Sequence, residues 1–348
     1  MTKPSRLAFV GDVALHQEFP GTPQALGPAL AEGVRSLVPE GTLLVANLEA
    51  PMTIVGQAFP GKCSLQSDPG WAQILRRAGV TAVSLANNHV MDSGPRGLEE
   101  TLVALTEAGI QYAGAGRDLQ EARRPAIVDL GNLRVAILCR SDVPVKSAVW
   151  AGDGVPGIAA ADRESVLADV SALRDEVDFL VLCIHWGLEQ YRLPTPEQRQ
   201  FARLILNAGA DVIIGHHPHV LQGFEYIDSK PVFYSLGNFI FPSFAWTSVD
   251  QQGSGFTENI DFGEDGNLGS VVLVSIDAAD QIHLVGTRFQ DGIPRRSNEA
   301  VAVLERRSRA ISESGYGLRW RSESMKFWLD AKLLRRLKRG VSRVFPPR

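Results

Sequence analysis

The sequence predicts an α/β domain with a mostly parallel sheet, on two observations. Short apolar runs alternate with longer amphipathic ones over the first two thirds of the chain, and the apolar runs have the length and bounding polar residues of buried strands. Leu7–Val10, Leu43–Ala46, Ala82–Leu85, Val135–Cys139, Phe179–Ile184 and Val212–Ile214 are the strands this pattern marks. Trp71–Ala78 is read as a helix. So is Arg96–Ala108, with Pro95 near its first turn. Pro196–Ala208 is a third, with Thr195 as its N-cap and Gly209 as its stop. After Gly223 the texture becomes antiparallel. Val232–Tyr234, Val271–Ile276 and Ile282–Arg288 read as strands, and Phe241–Asp265 as a long surface loop.

The 348 residues suit one large or two ordinary domains, and 45% hydrophobic residues suffice for a core. The expected division is a domain over 1–292 and a basic helical extension over 293–348. No apolar run approaches the roughly 20 residues of a spanning helix. Leu7–Val10 is too short for a signal-peptide core. Three widely spaced cysteines exclude a disulfide framework and a CxxC zinc knuckle, and suit a reducing compartment. The expectation is a cytoplasmic protein.

Charge is unevenly placed. Residues 319–348 hold ten Lys or Arg and two acids, so this end carries +8 and the remainder −12 of a net −4. An acidic body does not invite nucleic acid; a basic tail invites an anionic partner. Met325, Leu329, Leu333, Leu337 and Val341 recur every four residues, with basic residues mostly elsewhere on the wheel. Such a helix can lie on an anionic membrane, here the inner face, or dock on its own protein.

Chemistry-bearing residues stand where the apolar strands stop. Asp12 follows the first, Asn47 and Glu49 the second, and Asn87-Asn88-His89 with Asp92 the third. His185 follows Phe179–Ile184, and Gly215-His216-His217-Pro218-His219 follows Val212–Ile214. Ligands of open α/β sheets bind outside the carboxyl ends of the strands, so these residues are expected to converge. Each alone is more often a turn residue, a cap or a buried histidine; the joint placement favours a site. Carboxylates, an amide oxygen and imidazoles suit divalent Mn, Fe or Zn. Two such ions about 3.5–4 Å apart clamp a substrate oxygen and acidify water. Glu49 is the natural bridging carboxylate. His16 and His283, the latter in an expected edge strand, are read as ordinary.

In that order, and with Tyr234-Ser235-Leu236-Gly237-Asn238-Phe239, these motifs over residues 5–290 resemble the CapA family of capsule and poly-γ-glutamate synthesis proteins, within the calcineurin-like metallophosphoesterases. The resemblance implies a four-layer α/β/β/α sandwich with a dinuclear metal site. It assigns Asp12, Glu49, Asn88, His185, His217 and His219 to metal and His89 to proton donation. His216 is an alternative to His217 or a substrate contact. Arg192 is a candidate for binding an anionic substrate, against a solvated loop charge. Two departures stand out: Ala14 occupies the place of a usual His, and Glu49 that of a usual Asp. One metal position is thus expected to be short of a ligand. Three functions follow: a hydrolase of a phosphoester or an anionic, poly-γ-glutamate-like substrate; a non-catalytic assembly or export factor for an anionic capsular polymer; and a peripheral membrane module working through its tail.

Overall fold

The computed structural model describes residues 6–16, 19–56, 63–143, 150–249, 255–260, 263–276, 282–313, 315–317, 320–321 and 323–325. The chain begins β1 (Arg6–Val13), α1 (Pro23–Leu37), β2 (Leu43–Leu48), α2 (Trp71–Arg77), β3 (Val80–Ser84), α3 (Gly94–Glu107) and β4 (Gln111–Ala113). It continues through β5 (Ala115–Gly116), α4 (Leu119–Arg123), β6 (Ala126–Leu130), β7 (Leu133–Ser141) and β8 (Gly157–Ile158). Then come α5 (Arg163–Arg174), β9 (Phe179–His185), α6 (Pro196–Ala208), β10 (Val212–His216), β11 (Phe224–Ile227) and β12 (Lys230–Phe233). The last are β13 (Asn238–Ile240), β14 (Phe244–Val249), β15 (Gly255–Ile260), α7 (Gly263–Gly266), β16 (Leu268–Ser275), β17 (Ile282–Gln290), β18 (Ile293–Arg296) and α8 (Asn298–Ser312).

The strands form two large sheets. One runs β18-β17-β16-β1-β2-β3-β4, with β13 paired beside the end of β1; the other runs β11-β12-β10-β9-β7-β6. β1 to β4 are parallel, as are β7, β9, β10 and β12. Alternation along each strand explains the layers. In β1, Leu7 and Phe9 face a core shared with Val135, Ile137, Val181 and Val212 of the second sheet. Ala8, Val10 and Val13 face the opposite way, against Leu30 and Val34 of α1 and Leu98 and Leu102 of α3. In β9, Leu180, Leu182 and Ile184 pack on Phe201 and Ile205 of α6 and Val166 of α5. The result is a four-layer α/β/β/α sandwich. Each fully buried aliphatic side chain contributes about 1.5–3 kcal/mol, so three such cores dominate the stability.

The helix over Pro196–Ala208 forms as the sequence predicts, and Thr195 with Gln198 completes a reciprocal capping box at its start. Part of the expected loop over 241–265 is a hairpin, β14 with β15, followed by α7. His283 lies in the part of β17 that pairs with β16 alone among the described residues, as an edge does; β18 pairs only with Thr287–Gln290 further along. The boundary expected after residue 292 falls between those two paired strands, and α8 packs on β11, β16 and β17. The amphipathic stripe beyond Met325 lies outside the described residues, and no helix among those described is long and apolar enough to cross a membrane.

One backbone feature sets the site. β1 and β2 pair Phe9 with Val45 and then Asp12 with Asn47, so β1 holds one extra residue and bulges at Val10-Gly11. Gly11 permits this: a Cβ there would lie 2.0 Å from the Gly237 carbonyl oxygen, which accepts the Asp12 N–H at 2.9 Å. Gly11→Ala must therefore push β1 off the Gly237 turn. We expect a loss of about 1–3 kcal/mol, the usual cost of overpacking, read as a lower melting temperature.

Candidate metal centre

The carboxyl ends of both sheets meet, and the parallel register brings the polar residues level. Asp12 is level with Asn47 on one side and Asn238 on the other; His216 is level with His185. Asp12, Glu49 and Asn47 are fully buried, and His185, His216, His217 and His219 nearly so. Asn88 and His89, each 8% exposed, are the most open of the set and mark its mouth.

Two ligand groups share one residue. Asp12, Glu49 and His185 offer atoms within 4.8 Å of one another, as do Glu49, His217 and His219. Glu49 Oε1 stands 3.5 Å from both His185 Nε2 and His219 Nε2. Asn88 Oδ1 lies 2.8 Å from His185 Nε2, so the amide oxygen faces the same space. Glu49 Oε1 and His217 Nδ1 are buried with no hydrogen-bond partner. Buried polar atoms rarely remain unpaired, and a carboxylate oxygen and an imidazole nitrogen are both lone-pair donors suited to a divalent cation. The residues present fit such a centre.

The side chains around these groups fix their aim. Asn47 Nδ2 donates to Asp12 Oδ1 at 2.8 Å and reaches Glu49 Oε2 at 3.2 Å. His216 Nδ1 pairs with Asp12 Oδ1 at 3.0 Å, so His216 stands behind that carboxylate, while His217 belongs to a ligand group. His219 Nδ1 pairs with Asn238 Oδ1 at 2.9 Å, and Asn238 Nδ2 donates to the Gly266 carbonyl at 2.8 Å. Asn87 Oδ1 accepts the N–H groups of His89 and Val90, shaping the turn that carries Asn88 and His89. His217 and His219 have φ of 95° and 57°, the left-handed region that non-glycine residues avoid. Backbone strain of this kind concentrates at functional sites.

His89 belongs to neither ligand group. Its Nδ1 pairs with Asp92 Oδ2 at 2.7 Å, and Asp92 also accepts the Leu65 N–H at 2.7 Å. The buried carboxylate fixes the ring and leaves Nε2 for another partner.

Electrostatics follow from burial and neighbours. Burial pushes Glu49 up, helped by the Asp12 charge and only partly offset by His219. Burial opposes ionisation of Asp12 too, but His216, His219 and Asn47 outweigh it and hold Asp12 below its ordinary value. Burial, with neighbouring rings, holds His185 well below its ordinary value and His217 down to about 4, so both are neutral at pH 7, and a neutral imidazole is the form that binds a metal. Burial also opposes charge on His219, but Glu49 and Asp12 push it up to about 10. An ion bound through His219 must displace that proton. Apparent metal affinity should therefore fall about tenfold per pH unit lowered below 10, with a proton released on binding. Calorimetry in buffers of different ionisation enthalpy measures both; a pH-independent affinity between 6 and 8 would contradict the assignment.

The structure thus gathers Asp12, Glu49, Asn88, His89, His185, His216, His217 and His219. It does not bring in Arg192, whose guanidinium pairs with Asp265 at 2.7 Å. Ala14 lies in an apolar cluster with Ala50, Leu65 and Phe241, and Phe241 packs edge-on against His219 at 4.7 Å between ring centroids. Among the described residues, no ligand replaces the missing imidazole there. His16 pairs with the Pro242 carbonyl at 3.2 Å. The sequence reading left Asn47, Asp92 and Asn238 without roles, although all three stand in its motifs. It also passed over Glu189: desolvation raises this carboxyl, but His217, His219 and His89 outweigh that and lower it.

A family model described as bacterial capsule synthesis protein PGA_cap matches residues 6–243. The PGA biosynthesis protein CapA of Bacillus subtilis (strain 168) is 31% identical over 244 residues, 69% of this chain and 64% of that protein. The capsule biosynthesis protein CapA of Bacillus anthracis is 37% identical over 177 residues, 50% of this chain and 43% of that protein. The chain thus spans less than two thirds of the length of these relatives. Among solved structures, a phosphatase from Mycoplasma pneumoniae aligns at 13% identity and a TM-score of 0.49, over 87% of this chain and 98% of that one. The family match covers well over half of the chain and includes every residue of the two ligand groups, so the chain belongs to the bacterial capsule synthesis protein PGA_cap family.

Proposed function

We propose that this protein is a metal-dependent hydrolase acting on a phosphoester or an anionic, poly-γ-glutamate-like substrate in capsule or cell-surface polymer biosynthesis. The observation that carries the reading is Glu49, fully buried and shared by both ligand groups, with Oε1 3.5 Å from His185 and His219, beside a His89–Asp92 pair at the mouth. Asp12, Glu49, Asn88, His185, His217 and His219 would hold two ions of Mn, Fe or Zn. The apolar surroundings of Ala14 support a weaker hold on one of them. Bound divalent ions supply a Lewis acid for the substrate oxygen and acidify water. The chain supplies the rest. His89, held at Nδ1 by Asp92, gives its Nε2 proton to the leaving oxygen or nitrogen as that bond breaks. His216 keeps Asp12 aimed and borders the substrate space. Arg192, largely exposed, would meet an anionic group further along a long substrate.

A panel of phosphoester and γ-glutamyl amide substrates with added Mn tests this. Turnover of at least one class, lost on chelation, is expected. No turnover of any member by metal-loaded protein would favour a non-catalytic assembly or export role for an anionic polymer.

We also propose that the basic segment 319–348 meets an anionic membrane surface at the inner face of the cytoplasmic membrane through its residues beyond Met325, since Trp320 packs on Tyr191 of the domain. Flotation with phosphatidylglycerol vesicles should drop several-fold on removing it and fall with salt. Equal flotation of the shortened chain would remove that role.

A further inference from the structure

Helix α8 lies beyond residues 6–243, the part of the chain that the family model matches, yet it is seated on the loop that follows the ligand histidines. Gly223 permits the close approach: a Cβ there would lie 2.5 Å from the backbone of Arg307 and Ser308. The Phe224 N–H donates to Ser308 Oγ at 2.9 Å, and Leu221 shares a buried cluster with Ala300, Val303 and Leu304 of the helix. From this seat Arg307, only 6% exposed, gives its guanidinium to two acceptors, and both lead to His219.

Nη1 donates to the carbonyl of Leu221, two residues after His219 in the chain. Nη2 donates to Asp265 Oδ2 at 2.9 Å. Asp265 precedes Gly266 in α7; the Gly266 carbonyl accepts Asn238 Nδ2 at 2.8 Å, and Asn238 Oδ1 pairs with His219 Nδ1 at 2.9 Å. One guanidinium thus holds the His219 backbone along one path and the His219 ring along the other. A planar fork with donors fixed in direction suits this double task better than an ammonium on a flexible stem. The centre needs such a hold. His219 has φ 57°, and a non-glycine residue stays in the left-handed region only where its surroundings over-determine it. Its Nδ1 also lies 3.4 Å from Asp12 Oδ2, a competing acceptor. Fixing Asn238 keeps the Nδ1 proton on the amide oxygen and leaves Nε2 directed at Glu49 Oε1, 3.5 Å away.

Packing alone does not account for an arginine at this place, because a well-packed apolar side chain is often as stabilising as a buried ion pair. What the guanidinium fixes does account for it. We infer that Arg307 is a positioning residue for the candidate centre, setting the place and the ring orientation of His219 from a helix outside the family match. The inference rests on the metal-centre reading where it treats His219 as a ligand; the hold on the ring does not.

The test uses the full chain and two readouts. In chelator, the Nδ1–H of His219 should give a protected downfield proton resonance in protein carrying isotope-labelled histidine, identified by its loss in His219→Gln. With Co(II) as the probe ion, calorimetry gives the affinity and visible absorption the ligand geometry. Arg307→Met keeps the stem and removes both donors. It should lose the His219 resonance, shift the absorption bands and weaken Co(II) binding about tenfold, the low end for losing a group that orients a ligand. Arg307→Lys should recover part of each effect. Asp265→Ala, which cuts the ring path alone, should show the same losses and decides the matter if Arg307→Met does not fold. Ile311→Ala is the control: one turn further along α8, it opens a cavity in the second-sheet core and lowers the melting temperature. It should keep the resonance and bind Co(II) within about twofold of wild type, as a change at an independent site does. Three results would each overturn the inference: no His219 resonance in wild type, a resonance unchanged in Arg307→Met and Asp265→Ala, or equal losses in Ile311→Ala. A resonance that depends on Arg307 in a protein that takes up no Co(II) would retain the hold on the ring and remove the metal centre.

Discussion

Glu49→Gln is expected to strip metal from both ligand groups at once, whereas Asp12→Asn should weaken only one. The reason is topological: Glu49 is the residue the two groups share. Two divalent cations held close repel each other strongly, and a shared carboxylate supplies the negative charge that offsets this in a buried site. Loss of a partner that merely orients a ligand already costs about 10–100-fold in affinity, so loss of a direct carboxylate ligand should cost at least that for each ion. Metal content after desalting is the first readout, expected near two equivalents or one strong equivalent in wild type and close to none in Glu49→Gln. Thermal stability gives a second readout. In chelator the Gln variant should melt below wild type at neutral pH, because Glu49 is a partner of the buried His219 charge and its loss leaves that charge less compensated. With metal added, the gap should widen, because an ion that binds only the folded state stabilises wild type by mass action. A Glu49→Gln protein that retains stoichiometric metal would remove the bridging role.

His89→Ala is expected to lower turnover by about 10²–10⁴ while leaving metal content unchanged. The separation is what the geometry supports: His89 lies outside both ligand groups, near the mouth, paired with Asp92. The deficit should shrink for substrates with a good leaving group, which needs no proton. An aryl phosphate should therefore lose less than an alkyl phosphate or an amide. Asp92→Asn, similar in size, should also lower turnover by releasing Nδ1 from its hold. If the aryl and alkyl substrates suffer equally, His89 is not protonating the leaving group. If metal is lost with activity, His89 is a ligand instead.

Much of the site was legible in the chain because strand ends in a parallel sheet are chemically distinct places. A buried apolar run that stops in Asp, Glu or His announces a polar side chain at a carboxyl edge, and Asp12, Glu49, His185 and His217 all follow that rule. Other parts carried no local signal. α1 holds Gly27 and Pro28 in its interior, which local preference resists, and the burial of Leu30, Val34 and Leu37 overrides it. Part of the supposed loop over 241–265 pairs as a hairpin, although the segment around it is rich in Gly, Ser, Thr and Asp, as turns are.

What the sequence by itself determined is the central strands β1, β2, β3, β7, β9 and β10, the helix over Pro196–Ala208 with its cap, and the residue types gathered at the sheet edges, since burial period and capping are local properties of the chain. The tertiary structure alone decided three matters. It placed His217 in a ligand group and His216 behind Asp12, because left-handed backbone at His217 and His219 re-aims three neighbouring rings. It tied Arg192 to Asp265, far along the chain. It set Gln198 and Trp320 in the lining of one cavity although 122 residues separate them. Such choices depend on where distant backbones meet, and no spacing along a single strand encodes them.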